Sequence, residues 1–171
     1  LAALPMHLTA RVGDARVGIV HGDAASLAGW GFARDRLDDL GHLRWIESAF
    51  AQARVDVFAS THTCMPAMRR YERGVVANNG AAGMPNFEGS RVGLLTRIGM
   101  RPFAGAGALY GTTVAGARVE AIAIPYAHDR WVERFLAAWP EGSAGHASYF
   151  RRIAQGARGI IQHRRMTITG G

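Results

Sequence analysis

The sequence predicts an α/β domain in which a mixed sheet is layered with helices, and three observations carry that expectation. Short runs of alternating apolar residues recur along the chain. Helical spacing interrupts them at Leu43, Ile46, Phe50 and Ala53, and again at Trp131, Phe135 and Trp139. Polar or Gly-rich loops separate the two kinds of segment. With 171 residues, 49% hydrophobic and 19% charged, the chain suits one domain with a real core, spanning residues 1–171.

The elements follow in order. Leu8, Ala10 and Val12 alternate with polar residues, Gly13-Asp14 supplies a turn, and Val17 to Val20 resumes the apolar run, which predicts a hairpin from about Met6 to Val20. That hairpin delivers His21 to a strand end. A loop holding Gly29, Trp30 and Gly31 leads into a helix from about Asp38 to Ala53. Val55, Val57 and Phe58 predict a short strand, closed by Ser60-Thr61-His62-Thr63-Cys64 and stopped by Pro66. Met68 to Tyr71 and Val75 to Asn78 predict a second hairpin, followed by a loop from Asn79 to Asn86 whose glycines permit positive φ. Strands are expected over about Arg91–Ile98, Leu109–Val114 and Arg118–Ile124, the last two joined by Ala115-Gly116. Helices are expected over about Asp129–Trp139 and Ser148–Gln155, the first with Trp131, Phe135 and Trp139 as a core-packing stripe.

Composition excludes several function classes. All 20 basic residues are arginine, against 13 acidic residues, for a formal net charge of +7. The arginines are scattered, with doublets only at Arg69-Arg70, Arg151-Arg152 and Arg164-Arg165, so a solvated basic surface is favoured over a nucleic-acid interface. No apolar run approaches the twenty or so residues of a membrane span. Leu1 to Leu4 is too short for the apolar segment of a signal peptide. A single cysteine cannot build an internal disulfide framework, which makes the cytoplasm the expected compartment.

Three strand-end loops concentrate the chemistry: His21-Gly22-Asp23, Thr61-His62-Thr63-Cys64-Met65-Pro66 and Asn78-Asn79-Gly80-Ala81-Ala82-Gly83. Imidazoles and thiolates leaving strand ends in short loops can be held rigidly enough to ligate a transition metal. An isolated histidine is more often a surface or hydrogen-bonded structural group, so the combination matters more than its parts. The order strand, His-Gly, helix, strand, x-His-Thr-x-x-Pro, hairpin, Asn-x-Gly-x-x-Gly resembles the later half of the catalytic core of calcineurin-like metallophosphoesterases.

That resemblance, over about residues 8–125, implies a layered mixed-sheet sandwich lacking the N-terminal half of the family's core. It also implies phosphoric ester hydrolysis by a metal-activated hydroxide at a two-metal centre. His21 matches the family's His-Gly ligand and His62 the first histidine of its Gly-His-x-His loop. Cys64 replaces the second histidine, as a third candidate ligand. A thiolate suits zinc or iron better than magnesium, and two divalent transition metal ions (Mn, Fe or Zn) are the implied cofactors. Asn79 and Gly80 are expected at the site wall. The family's Asp-x-His, Gly-Asp-x-x-Asp and Gly-Asn-His motifs, which supply bridging carboxylates, do not occur ahead of His21. The expected partners are therefore a small phosphorylated substrate and either a companion N-terminal segment or a second copy of the chain.

Rival readings stand beside this one. Cys64 next to His62 could be an activated thiol nucleophile, but no Arg-rich phosphate loop follows it, and a buried structural thiol competes. Gly80 to Gly83 could cradle phosphate through backbone N–H groups, yet no Gly-Lys-Ser/Thr follows and Met84-Pro85 interrupts the helix such a site needs. The competing class is a non-catalytic fold remnant or interaction domain without a complete dinuclear centre.

Overall fold

In the computed structural model, which describes residues 3–81, 83–105 and 107–158, the alternating segments His7–Val12 (β1) and Ala15–Val20 (β2) pair antiparallel, from His7↔Val20 to Val12↔Ala15. The two-residue turn between them is the expected Gly13-Asp14, with Gly13 at φ 59°, a region where a side chain would be strained. The chain then crosses through a single helical turn, Arg34–Leu37 (α1), a 3-10 turn, Leu40–His42, and a helix, Leu43–Ala53 (α2). The long helix begins at Leu43 rather than Asp38 because the Asp39 carboxylate accepts the Gly41 amide and caps the 3-10 turn ahead of it.

Val57–Ser60 (β3) returns parallel to β2, and Pro66–Arg70 (β4) and Val75–Asn79 (β5) form the second hairpin, with β5 parallel to β3. The resulting five-stranded sheet has the order β1-β2-β3-β5-β4. Pro66 opens β4 instead of merely ending the loop. β4 is an edge strand, where a missing N–H breaks no interior ladder. A second, antiparallel sheet of order β6-β8-β7 is built from Val92–Gly99 (β6), Tyr110–Val114 (β7) and Ala117–Pro125 (β8). Its Ala115-Gly116 turn has positive φ at both residues, as a type I′ hairpin requires.

Period-two alternation then decides the layers. Val57 and Val75 point into the core between the two sheets with Val17 and Val119, while Phe58 and Val76 point under α2 with Ile46 and Phe50. The mixed sheet is thus buried on both faces, by helix on one side and by the second sheet on the other. This is the layered α/β arrangement the sequence predicts.

Two helices close the described chain: His128–Ala138 (α3) and Ala144–Gln155 (α4). α4 starts at Ala144, ahead of the expected Ser148, because the Ser143 side chain accepts the His146 amide as its N-cap. The aromatic stripe on α3 is core only at Phe135. Trp131 and Trp139 are 37% and 49% exposed. Trp131 instead donates its indole N–H to the Gly83 carbonyl at 2.8 Å. Among the described residues no helix is long and apolar enough to cross a membrane.

Candidate functional site

Because β2, β3 and β5 run parallel, their carboxyl ends share one edge of the sheet, the position where open α/β sheets bind ligands. Each end opens directly into one of the three loops singled out in the sequence. His21 follows Val20, Thr61 to Cys64 follow Ser60, and Gly80 follows Asn79.

Side chain and backbone hydrogen bonds lock the loops together. The Thr61 amide donates to the His21 carbonyl at 3.1 Å. The Ser60 hydroxyl donates to the Gly22 carbonyl at 2.6 Å, and the Thr61 hydroxyl to the Gly80 carbonyl at 2.9 Å. Asn78, only 2% exposed, is the common anchor. Its Nδ2 donates to the carbonyls of Phe32 and Thr61, each at 3.1 Å, and to Thr63 Oγ1 at 2.9 Å, while its Oδ1 accepts the Gly80 amide at 2.9 Å.

On this frame His21 and His62 come together. His62 Nδ1 lies 3.2 Å from His21 Nε2, with ring centroids 5.0 Å apart. In the absence of a metal, one ring donates an N–H to the other's lone pair. Two imidazole nitrogens each about 2.0–2.1 Å from one tetrahedral zinc would stand about 3.3 Å apart, so the pair also fits two ligands of one ion.

Cys64 does not join them. His62 and Cys64 both adopt left-handed backbone, φ 69° and 57°, so the loop is not an extended segment that presents the two side chains to the same face. The Cys64 thiol instead donates to the His62 carbonyl at 3.3 Å. Among the described residues no group of three or more His, Cys, Asp or Glu side chains is placed to hold a metal ion. Asp23, the carboxylate beside His21, is committed elsewhere: its two oxygens accept the amides of Ala25, Ser26 and Gly31 at 2.8, 2.9 and 2.9 Å. The residues present therefore fit part of one metal shell, and the described residues do not build a two-metal centre.

Gly80 and Asn79 occupy different sides of the site. Gly80 has φ 76°, and a Cβ there would sit 2.1 Å from Asn86 Oδ1, which itself accepts the Ala81 amide at 2.8 Å. Only glycine can make this turn. Asn79, one residue beyond Asn78 on β5, faces the opposite side of the sheet and lines an apolar cleft of about 380 Å³ with Ile19, Thr61, Leu95 and Ile98. Its Oδ1 is buried without a hydrogen-bond partner.

Two contacts were not legible beforehand. Trp30, 59% exposed, sets its ring edge-on to His62 at 5.5 Å. Its place between Gly29 and Gly31 in the His21 loop was the available signal. Arg152 of α4 donates its Nη2 to the Cys64 carbonyl at 2.5 Å across 88 residues of sequence, a contact no local pattern announces. Burial pulls the guanidinium below its ordinary pKa, and the neighbouring Cys64 opposes that shift.

No protein-family model matches the sequence, and no curated protein matches it. Among solved structures, the fold is similar to that of a hypothetical protein from Pyrococcus horikoshii, with a TM-score of 0.58 and 15% identity, covering 91% of this chain and 52% of that one. A predicted phosphoesterase from Streptococcus pneumoniae aligns at a TM-score of 0.38 and 16% identity, covering 57% of this chain and 49% of that one. Vps29 complexed with zinc from Entamoeba histolytica aligns at 0.37 and 15%, covering 71% and 62%. The first likeness establishes a shared fold, and the other two overlap too little to carry an argument. The chain spans about half the length of the first two.

Proposed function

We propose that this chain supplies the later half of the site of a metal-dependent phosphoesterase acting on a small phosphorylated substrate in the cytoplasm. The observation that carries the reading is the meeting of His21 and His62, delivered from separate parallel strands to a nitrogen separation of 3.2 Å. The order of the three loops, which resembles the later motifs of calcineurin-like metallophosphoesterases, adds the reaction class. A bound divalent transition metal would polarise a phosphoryl oxygen and lower the pKa of water. His21 and His62 would hold it, with Trp30 shielding one flank of the imidazole pair. Asn78, Ser60 and Thr61 keep the two histidine loops at fixed separation. The bridging carboxylates and the second ion would be held by a companion segment or a second copy of the chain, and Cys64, whose thiol turns to the His62 carbonyl, is tested beside the histidines as a candidate third ligand.

The test is zinc and manganese titration of the 171-residue chain by calorimetry, with metal content read after dialysis. His21→Ala and His62→Ala are each expected to weaken zinc binding by at least tenfold, with Cys64→Ser weakening it less. Unchanged metal content in both histidine variants would falsify the ligand assignment. A second reading, a non-catalytic interaction domain, is favoured by the lack of a third ligand among the described residues. It predicts that the chain, metal-loaded and joined to any companion segment, leaves p-nitrophenyl phosphate intact.

A further inference from the structure

We propose that Arg152 recognises the phosphoryl oxyanion of a ligand beside the His62–Cys64 loop. The inference rests on the phosphoesterase reading and names a residue of the same site that the motif resemblance does not contain.

Arg152 projects from α4 to the loop after β3 and fixes one nitrogen there, Nη2 on the Cys64 carbonyl at 2.5 Å. A guanidinium carries five N–H donors in one plane and stays charged. Its Nη1 is buried and has no acceptor. Among the described residues no carboxylate pairs with it, in contrast to Arg97, which donates to Glu120 at 2.7 Å. A half-buried cation with an unused donor is costly unless an acceptor arrives. The carboxylate of the first loop, Asp23, cannot serve, because its oxygens are taken by three backbone amides.

Among the described residues no acceptor serves Nη1, and the acceptor this proposal assigns to it is an anion bound from outside the chain. A phosphoryl group matches a guanidinium fork in charge and geometry. Anchoring through Nη2 leaves the rest of the fork preorganised, so less side-chain freedom is lost when the anion binds. The helical hairpin of α3 and α4 thereby gains a role at the site: α4 carries Arg152, and the His128 ring of α3 meets the Ile153 carbonyl of α4 at 3.0 Å, holding that turn in place.

The experiment is calorimetric titration of inorganic phosphate into the metal-free 171-residue chain, with chelator present and ionic strength held constant with sodium chloride. Wild type, Arg152→Gln and Arg152→Lys are compared, with the melting temperature recorded for each. Arg152→Gln is expected to weaken phosphate binding at least tenfold. Arg152→Lys should weaken it several-fold, because an ammonium keeps the charge but cannot donate to Cys64 and the anion from one plane. A purely structural staple would lower the melting temperature of Arg152→Gln and leave phosphate affinity at the wild-type value, and that result overturns the proposal. So does wild type that binds no phosphate. If Arg152→Gln does not fold, Arg152→Lys decides, and wild-type affinity in that variant overturns the proposal. Because no metal is present, this outcome is separate from the histidine test. Phosphate binding without zinc binding would remove the metal reading and keep this one, and the reverse would do the opposite.

Discussion

Replacing Asn78 with alanine tests the claim that one buried amide holds the three site loops together. The substitution removes donation to Phe32, Thr61 and Thr63 and acceptance from Gly80. Nδ2 has only two hydrogens for three acceptors, so the four contacts count as about three full hydrogen bonds. At about 1 kcal/mol net for each, the loss is about 3 kcal/mol, with the orphaned Gly80 N–H drawing it toward the upper side. That is a large share of the roughly 5–15 kcal/mol that holds a domain folded. With a urea slope of about 2 kcal/mol/M, the midpoint should fall by about 1.5 M, followed by circular dichroism. If His21 and His62 hold a metal as proposed, zinc affinity should fall with it, since Asn78 anchors the loops that carry both histidines. A midpoint that moves by less than about 0.3 M would refute the anchoring argument, because it would mean that water or relaxed loops satisfy these groups equally well.

Other substitutions and pH changes probe separate parts of the argument. Gly80→Ala should cost about 1–2 kcal/mol for the left-handed backbone alone, plus a clash with Asn86. Gly89→Ala, at φ 70° with nothing within 4 Å, should show only the backbone cost, so equal melting-temperature losses in the two variants would contradict the clash. Burial raises the pKa of the Glu120 carboxyl, but donation from the Phe103 amide and from Arg118 and Arg97 outweighs it and leaves the pKa below the ordinary value. Its ionisation therefore stabilises the fold above the unfolded-state pKa, and that contribution disappears as pH falls through the lower folded-state value. Denaturation of Glu120→Gln against wild type should show a gap at neutral pH that closes in acid, and a gap independent of pH would rule the linkage out. Burial raises the Tyr71 and Tyr110 hydroxyls above the ordinary tyrosine value. The neutral phenols are favoured in the fold, so this stabilisation is complete below the ordinary pKa near 10 and lost as pH rises through the folded-state values. Tyrosinate absorbance should consequently stay below full ionisation near pH 10–11 while the fold persists, and complete ionisation there with unchanged circular dichroism would count against it.

The sequence by itself determined the kind and order of most elements, while the starts of α2, α4 and β4 and the helical turn at Arg34–Leu37 came from the structure. Alternation at Leu8, Ala10 and Val12, the Gly13-Asp14 and Ala115-Gly116 turns, and the 3.6-residue spacing from Leu43 to Ala53 are local signals, and each appears in the fold as a strand, a turn or a helix. The same local reading placed His21, His62 and Gly80 at strand ends, because a strand terminus is marked within a few residues. A shared direction for the His62 and Cys64 side chains would need an extended backbone between them, and the left-handed conformation at both residues excludes it. The α3 stripe misread Trp131 and Trp139 for a related reason: period indicates a face, but the neighbours available decide how much of it is covered. Only the tertiary structure could decide that β2, β3 and β5 are parallel neighbours, which is what puts three separate loops on one edge. Likewise, the reach of Arg152 to Cys64 depends on packing between segments far apart in the chain. Local periodicity encodes conformation, whereas the 3.2 Å approach of His21 to His62 is set by long-range strand register and the buried hydrogen bonds that fix it.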